Sequence, residues 1–289
     1  MIVINMGITC DLLKKDYKHM KTRFSLLALL TVSVIILGSC EKSHPWEKLF
    51  NGQDLSNWDL HLGTPLGPEF QELADAATPD NVFSVVEMNG ENLIRISGEI
   101  NGALATKESF DNYHLRLVYR WGKTVYTRRN SGLLYHSFGD FGPGLGTWMA
   151  NIEFQMLHEN AGNTYLMANT VCNSEARMDP ETNRFVFTPG AESVTFGDHA
   201  NGRHIRIRTA HEKPLGEWNT LDLYTVGQTA AHVVNGETVM INTNTGTYED
   251  GRVVPLTGGK IQIQSEGATL YIKTVKIRPV SEIPSDVLL

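Results

Sequence analysis

The chain has 289 residues and a formal net charge of −7, with acidic and basic residues scattered along its length. Because no basic stripe with interleaved aromatic residues is present, the composition argues against a nucleic-acid-binding surface. About 250 residues follow Ser39, which is enough for one large all-β domain or two small ones with a sizeable core. Neither a linker nor an internal repeat divides them.

The N-terminal region resembles an export signal. The apolar run Phe24–Leu37 follows the basic residues Lys21 and Arg23, and it has the length of a signal-peptide core rather than of a membrane span. It continues into Leu37-Gly38-Ser39-Cys40. This motif resembles the lipobox of bacterial lipoproteins, in which the cysteine is lipidated and becomes the first mature residue.

We expect the mature protein to begin at Cys40. Met20 heads an ordinary signal peptide, so we take it as the start and residues 1–39 as absent from the mature chain. Residues 40–45 then form a lipidated tether that holds the protein at a bacterial membrane in the cell envelope, periplasmic or surface-exposed. Cys172 is the remaining cysteine, so the exported domain must be held together by its core rather than by a disulfide.

Short strand patterns follow one another along the mature chain. The runs are rich in β-branched and aromatic residues and often alternate with polar ones. They are Val82–Val86, Leu93–Ser97, His114–Tyr119, Gly132–His136, His204–Arg208, Leu221–Val226, His232–Val234, Lys260–Gln264 and Tyr271–Ile277. Asn89-Gly90 and Asn235-Gly236 predict tight hairpin turns. The pattern predicts a two-sheet antiparallel sandwich, with one weak helix around Pro68–Ala77 in an insertion.

The run Asn151–Glu159 contains the best candidates for a site. Side chains alternate along a strand, so Glu153 and Gln155 share one face, while the opposite face, which looks buried, carries Ile152, Phe154 and Met156. With His158 at the strand end, this group can bind sugar hydroxyls, move a proton or hold a cation. Any half-solvated strand also alternates in this way, so the pattern alone does not establish a site.

Several local motifs then identify a family by their order. They are Leu49–Trp58, Tyr113–Arg116, Arg120–Gly122, Ser131–His136, Glu217–Thr220, Val234–Gly236 and Ile261–Gly267. Over Trp46–Pro279 the chain resembles the 3-keto-disaccharide hydrolase domain family. The resemblance implies an all-β, concanavalin A-like jelly roll of two curved antiparallel sheets with a sugar site on its concave face. We expect this jelly roll to form one domain over residues 46–280, followed by a C-terminal tail at residues 281–289.

The resemblance also implies a carbohydrate partner, an oxidised disaccharide, oligosaccharide or glycoside, and an elimination chemistry. A ketone at C3 of a glucoside acidifies the proton on C2, and the glycosidic oxygen on C1 is then able to leave. Such a site needs a base, and a cation or hydrogen-bond donor on the enolate oxygen. Glu153 and His158 are candidates for the base and the proton carrier, and Gln155 for binding a sugar. A divalent metal held by Glu153 and His158 stays open, although the chain has no His-x-His or His-Glu-x-x-His motif.

Further candidates for substrate binding lie outside this strand, and they are Tyr135, His136, Arg120, Trp148 and Glu266. Trp148 follows a glycine-rich loop that is suited to border a cleft. For Arg120 a surface ion pair is the alternative. For Glu266 the alternative is a turn role before Gly267.

Two other functions have to be weighed. Retaining jelly-roll glucanases carry a Glu-x-Asp-x-x-Glu strand, but here Gln155 and His158 replace the second and third carboxylates, so this strand does not supply the pair that ordinary glycoside hydrolysis needs. A non-catalytic glycan-binding module of a surface uptake system is the alternative from another class. Relatives often have Gly-Asp where this chain has Gly162-Asn163, which weakens the analogy with an active enzyme.

Overall fold

The computed structural model describes residues 44–289. The predicted signal peptide, lipobox and lipidated Cys40 lie outside these residues and remain predictions. Ser43–Leu289 forms one compact unit, and its main hydrophobic core extends from Leu49 to Ile277, as expected of a segment that folds on its own. Within the described part, none of the helices has both the length and the apolar character needed to cross a membrane.

Strands dominate the described residues. They are β1 (Glu47–Lys48), β2 (Trp58–Pro65), β3 (Phe83–Met88), β4 (Glu91–Ile96), β5 (Ile100–Thr106), β6 (Phe110–Asp111), β7 (Tyr113–Asn130), β8 (Gly132–Phe138), β9 (Ala150–Gln155), β10 (Thr164–Met167), β11 (Thr170–Asp179), β12 (Arg184–Phe187), β13 (Ser193–Phe196), β14 (His204–Ile205), β15 (Asn219–Val226), β16 (Thr229–Val234), β17 (Glu237–Glu249), β18 (Arg252–Pro255) and β19 (Gly258–Pro279). The helices are a 3-10 turn (Pro68–Phe70), α1 (Gln71–Ala76) and α2 (Pro79–Val82).

Two antiparallel sheets enclose the core. The first has the order β3-β4-β19-β7-β15-β16-β17, and the second has the order β2-β5-β19-β8-β9-β10-β14. The far half of β17 leaves the first sheet and pairs with β11 and β18. This architecture confirms the predicted all-β jelly-roll sandwich.

The last strand belongs to both sheets. The first half of β19 pairs with β5 and β8, and its second half pairs with β4 and β7. Register shifts at Glu266, Gly267 and Ala268 mark a bulge, where the strand changes sheets. Gly267 has φ +89°, and a Cβ there would lie 2.3 Å from Oγ1 of Thr127. The runs Lys260–Gln264 and Tyr271–Ile277, predicted as separate strands, are therefore one strand bent at a glycine.

Both predicted hairpin turns are confirmed, and both residues of each Asn-Gly pair have a positive φ. Asn89-Gly90 joins β3 to β4, and Asn235-Gly236 joins β16 to β17. Such left-handed pairs match the twist of a tight hairpin. The predicted helical insertion is also present, since Pro68–Phe70 and Gln71–Ala76 lie between β2 and β3.

A hydrogen-bonded group crosses the apolar core. His232 on β16 contacts the carbonyl of Gly162 through Nδ1 at 2.9 Å and the hydroxyl of Tyr135 through Nε2 at 3.2 Å. Asn242 donates to the same hydroxyl at 3.1 Å and to Thr164 at 2.8 Å. Because these residues are fully buried, their polar groups must satisfy one another.

Acid should weaken the fold through His232. Burial lowers the pKa of His232 to about 4, whereas an unfolded histidine has a pKa of about 6.5. The neutral form therefore contributes stability fully above about pH 6.5, and this contribution is lost towards pH 4 at about 1.4 kcal/mol per pH unit. Denaturant unfolding of wild type and His232→Gln measures it. We expect the free-energy cost of the substitution to shrink as pH falls, and a cost that is constant with pH would contradict this.

Candidate functional site

Glu153 lies in the middle of the second sheet, on the face turned away from the main core. Its neighbours in register are Leu134 on β8 and Tyr165 on β10. Ile152 and Phe154 pack in the main core, which confirms the predicted orientation of the strand. The strand itself ends at Gln155, so the prediction that extended it to Glu159 was wrong.

Polar side chains from neighbouring strands meet Glu153 over the backbone of Gly132. A Cβ on Gly132 would lie 2.7 Å from Oε1 of Glu153 and 2.5 Å from Oε1 of Gln264. Glu153 Oε1 and both side-chain polar atoms of Gln264 are buried without a hydrogen-bond partner among the described residues. Leaving a buried polar group unpaired costs about 1–3 kcal/mol. The arrangement is therefore suited to a polar ligand that would satisfy these atoms.

A cleft of about 330 Å³ is lined by Leu66, Asn101, Thr127, Arg128, Leu145, Trp148 and Glu266. Glu153 and Gln264 are not part of this lining, and Glu266 links the cleft to Glu153 through the effect of its charge on the pKa of Glu153. Glu266 comes from the bulge of β19 and lies opposite Asn130 of β7. Nη2 of Arg128 lies 3.8 Å from Oε1 of Glu266. The cleft therefore has a carboxylate, a guanidinium and an indole on its walls, a combination suited to a sugar.

The two carboxyl groups of this region are electrostatically coupled. Burial, and then the charge of Glu266, raises the pKa of Glu153 well above its usual range, and Arg128 partly opposes this. Burial also raises the pKa of Glu266, against a hydrogen bond from Asn130 and the charge of Arg128. Paired carboxyls in such surroundings retain a proton more readily than isolated ones, which is the behaviour of an acid–base pair.

The glycine-rich loop between β8 and β9 folds over the same face. Trp148 is 3% exposed, and its Nε1 donates to the carbonyl of Gly102 at 2.8 Å. Trp148 packs with Leu134 and Met167 in a cluster separate from the main core. Phe141 of the loop stacks on His61 with ring centroids 4.1 Å apart. Trp148 lines the cleft as a buried wall, whereas the sequence had suggested an exposed platform for a sugar ring.

His158 is not brought to Glu153. It lies in a turn three residues beyond β9, and its Nδ1 is 3.8 Å from Oε1 of Glu212. Glu212 in turn accepts a hydrogen bond from the hydroxyl of Tyr119 at 3.1 Å. Across residues 44–289, no three His, Cys, Asp or Glu side chains are grouped so that they could hold a metal. The geometry therefore does not assemble the Glu153–His158 pair, either for proton transfer or for metal binding.

Asn163 has a structural place beside Gln155. Its Nδ2 donates to Oε1 of Gln155 at 3.1 Å, and its Oδ1 accepts from the backbone of Ile207 at 2.8 Å. Asn163 is 1% exposed. The amide thus fixes the orientation of Gln155 at the edge of the polar face, and its use of both a donor and an acceptor explains why an amide fits here.

Three other candidates lie away from the cleft. Tyr135 is in the main core, and its hydroxyl is used by His232. His136 is fully buried with neither ring nitrogen paired to a described group, and burial lowers its pKa to about 4. Arg120 lies on the first sheet, with its guanidinium 4.7 Å from the ring of Trp218. Their predicted role in substrate binding therefore gains no support from their positions.

The sequence reasoning missed Arg128, Asn130 and Gln264. A signal for Gln264 existed, because Gln262, Gln264 and Glu266 alternate with apolar or small residues, the same period-two pattern that singled out Glu153. Arg128 and Asn130 had no comparable signal. They lie at the end of an unusually long strand, β7, and their proximity to the site depends on the bend of β19.

Solved structures resemble the chain only in overall form. A Parabacteroides distasonis protein provisionally assigned as a glycosyl hydrolase aligns with a TM-score of 0.47 and 20% identity over 81% of this chain and 94% of its own. A second protein from the same organism aligns with a TM-score of 0.46 and 17% identity over 82% of this chain and 100% of its own. A Bacillus licheniformis β-glucanase aligns with a TM-score of 0.44 and 12% identity over 83% of this chain and 100% of its own. These likenesses say nothing about chemistry.

The sequence itself matches a family model. Comparison with curated protein sequences gives no significant match. By contrast, residues 45–278 match the model of the 3-keto-α-glucoside-1,2-lyase-like domain, in agreement with the resemblance inferred from the motifs. The matched span includes Glu153, Gln264 and Glu266. The chain therefore belongs to the family of 3-keto-α-glucoside-1,2-lyase-like domains, also called the 3-keto-disaccharide hydrolase domains.

Proposed function

We propose that the protein is an enzyme that cleaves 3-keto-glycosides by removing the proton from C2, with Glu153 as the base. The observation that carries this proposal is the coupling of the buried carboxyl group of Glu153 to the partly exposed Glu266, which lines a cleft together with Arg128. A carboxylate base whose pKa is raised above its usual range is better matched to removing a weakly acidic proton than an ordinary carboxylate is. Membership of the family of 3-keto-α-glucoside-1,2-lyase-like domains supports a 3-keto-glycoside as the substrate.

The proposed reaction is an elimination. Glu153 takes the C2 proton, and the electrons of the C2–H bond pass into the enolate of the C3 ketone. These electrons then form a C1–C2 double bond as the C1–oxygen bond breaks, and the departing oxygen takes a proton. Water added across the double bond completes a net hydrolysis. Glu266 is proposed to keep the pKa of Glu153 raised through its negative charge, water to supply the proton to the leaving oxygen, and Arg128 to offset the negative charge of the enolate.

A direct hydrolysis is the competing mechanism. The β9 strand lacks a second carboxylate, but Glu266 on β19 places one close enough to Glu153 to raise its pKa. Two carboxyl groups are the usual equipment for hydrolysis through an oxocarbenium ion. Membership of the family favours elimination from a keto-sugar. The choice of substrate distinguishes elimination from direct hydrolysis. An elimination needs the C3 ketone, whereas direct hydrolysis does not.

We also propose that the protein acts in the cell envelope, held at a membrane by lipid on Cys40. The support is the order of basic residues, apolar run and lipobox in the sequence. An exported enzyme of this class would receive its substrate from a separate oxidising enzyme that acts on C3 of the sugar.

Replacing the base should abolish turnover. We expect purified protein to release the aglycone from a 3-keto-glucoside and not from the unoxidised glucoside. Glu153→Gln should lower kcat by about 10²–10⁴-fold, the usual contribution of a general base. Glu159→Gln is the matched control, because Glu159 is exposed in the turn after β9. Wild-type turnover of the unoxidised glucoside at a similar rate would contradict the proposal. Glycan binding in calorimetry without any turnover would instead favour a non-catalytic binding module.

The pH profile should shift in opposite directions in two further variants. A base is active when deprotonated, so kcat/KM should rise with pH through the raised pKa of Glu153. Removing the like charge in Glu266→Gln lowers that pKa and moves the rising limb to lower pH. Removing the cation in Arg128→Gln raises it and moves the limb to higher pH. Steady-state kinetics across the acid limb measures both, and shifts in the same direction would rule out this electrostatic coupling.

A further inference from the structure

A tryptophan surrounded by cations lies on the outer face of the first sheet. The ring centroid of Trp46 is 4.5 Å from Nζ of Lys276, 4.7 Å from Cζ of Arg278 and 5.8 Å from Cζ of Arg116. Trp46, Lys276, Arg278 and Arg116 are all only partly buried. We call these four residues the Trp46 cluster. It is separate from the cleft that contains Glu266.

The Trp46 cluster carries excess positive charge. Arg116 is paired with Asp222 through Nε at 2.6 Å and Nη2 at 3.1 Å. Among residues 44–289, no carboxylate lies within ion-pair distance of Lys276 or Arg278. Nε of Arg278 is buried without a hydrogen-bond partner in the same range. Two cations thus lack a carboxylate partner, in a chain whose net charge is −7.

The positive face extends further along the same strands. Arg120 follows Arg116 by four positions on β7, and side chains four apart on a strand share a face. Its guanidinium lies 4.7 Å from the ring of Trp218, and Nζ of Lys273, which is paired with Oε2 of Glu91 at 3.8 Å, lies 5.3 Å from the same ring. Cations with aromatic rings therefore line the outer face of β7 and β19. Tryptophan and long basic side chains are the residues that favour the interface between a membrane and water.

The chain leaves the fold at this face. Trp46 directly precedes β1, which pairs with β19 at Glu47 opposite Ile277 and Lys48 opposite Lys276. Six residue steps separate Trp46 from Cys40, and an extended chain covers about 3.3–3.6 Å per residue, so this tether spans at most about 20 Å. Lipid on Cys40 would therefore keep the Trp46 cluster close to the bilayer surface.

We propose that the Trp46 cluster is a membrane-docking surface that binds the phosphate groups of anionic phospholipids. Lys276 and Arg278 attract the headgroups, and Trp46 enters the interfacial layer. Docking gives the tethered domain a fixed orientation, with the outer face of the first sheet towards the lipid. The inference goes beyond the proposed enzymatic function and does not depend on it, although it uses the proposed lipid on Cys40 for the proximity argument.

The test uses residues 43–289 without the lipid, mixed with vesicles of phosphatidylcholine alone or with about one third phosphatidylglycerol. Co-sedimentation gives the partition coefficient. We expect binding to the anionic vesicles alone, weakened by salt. Each basic residue near such a surface contributes about a fivefold change, so Lys276→Gln/Arg278→Gln should lower the partition coefficient about 25-fold. Trp46→Ala should weaken binding without changing its salt dependence.

Arg177→Gln/Arg252→Gln is the matched control, because these exposed residues on β11 and β18 carry the same charge. Thermal unfolding verifies that each variant is folded. Equal loss of binding in the control pair would overturn the proposal, since only net charge would then matter. Equal binding to both vesicle types would also overturn it. Tighter binding to dextran sulfate than to the vesicles would overturn it in favour of an anionic glycan. Catalytic activity is not a readout here, so failure of the enzymatic proposal remains distinguishable.

Discussion

The bend of β19 is the constraint on which the site depends. One strand serves both sheets because a bulge at Glu266–Ala268 lets it change partners, and Gly267 permits the close approach to Thr127 that this bend requires. The bulge places Glu266 at the cleft, while Gln264, two residues earlier, still lies in the second sheet beside Glu153. Without the bend, the carboxyl groups of β9 and β19 would belong to unrelated surfaces. A bulge that re-aims a side chain next to a site is a recurrent use of this irregularity.

The polar face around Glu153 and Gln264 lowers the stability of the fold, because it leaves buried polar atoms without hydrogen-bond partners in the described part of the chain. Glu153 and Gln264 hold buried polar atoms without partners among residues 44–289, and the charge of Glu266 raises the electrostatic cost of ionising Glu153. The network of His232, Tyr135 and Asn242 satisfies its buried polar groups, whereas other buried atoms of the described residues, such as both ring nitrogens of His136, also lack partners. Local violations of this kind are typical of functional sites. The membrane-docking face differs, because its cations are partly exposed and rest on aromatic rings.

Much of the fold was predictable from the sequence because its signals are local. Strand-like runs located nine of the nineteen strands of the described residues, and Asn-Gly pairs located two hairpins. The orientation of Glu153 followed from period-two alternation. What failed depended on contacts between distant residues. Strand β9 was predicted too long, and His158, which lies 3.8 Å from Glu212, was assigned to the wrong neighbour. Arg128 could not be predicted, since its place beside Glu266 is created by a bulge and by the pairing of two long strands.

In the proposed mechanism, the bond to hydrogen at C2 breaks before the glycosidic bond. The most direct measurement uses a 3-keto-glucoside that carries deuterium on C2, with the released sugar analysed by mass spectrometry and corrected for exchange of the free product in buffer. If Glu153 removes the C2 proton, the deuterium is lost to solvent during every turnover, because the base removes it and water supplies its replacement. Release of a sugar that retains deuterium on C2 would contradict the account and would indicate direct displacement at C1.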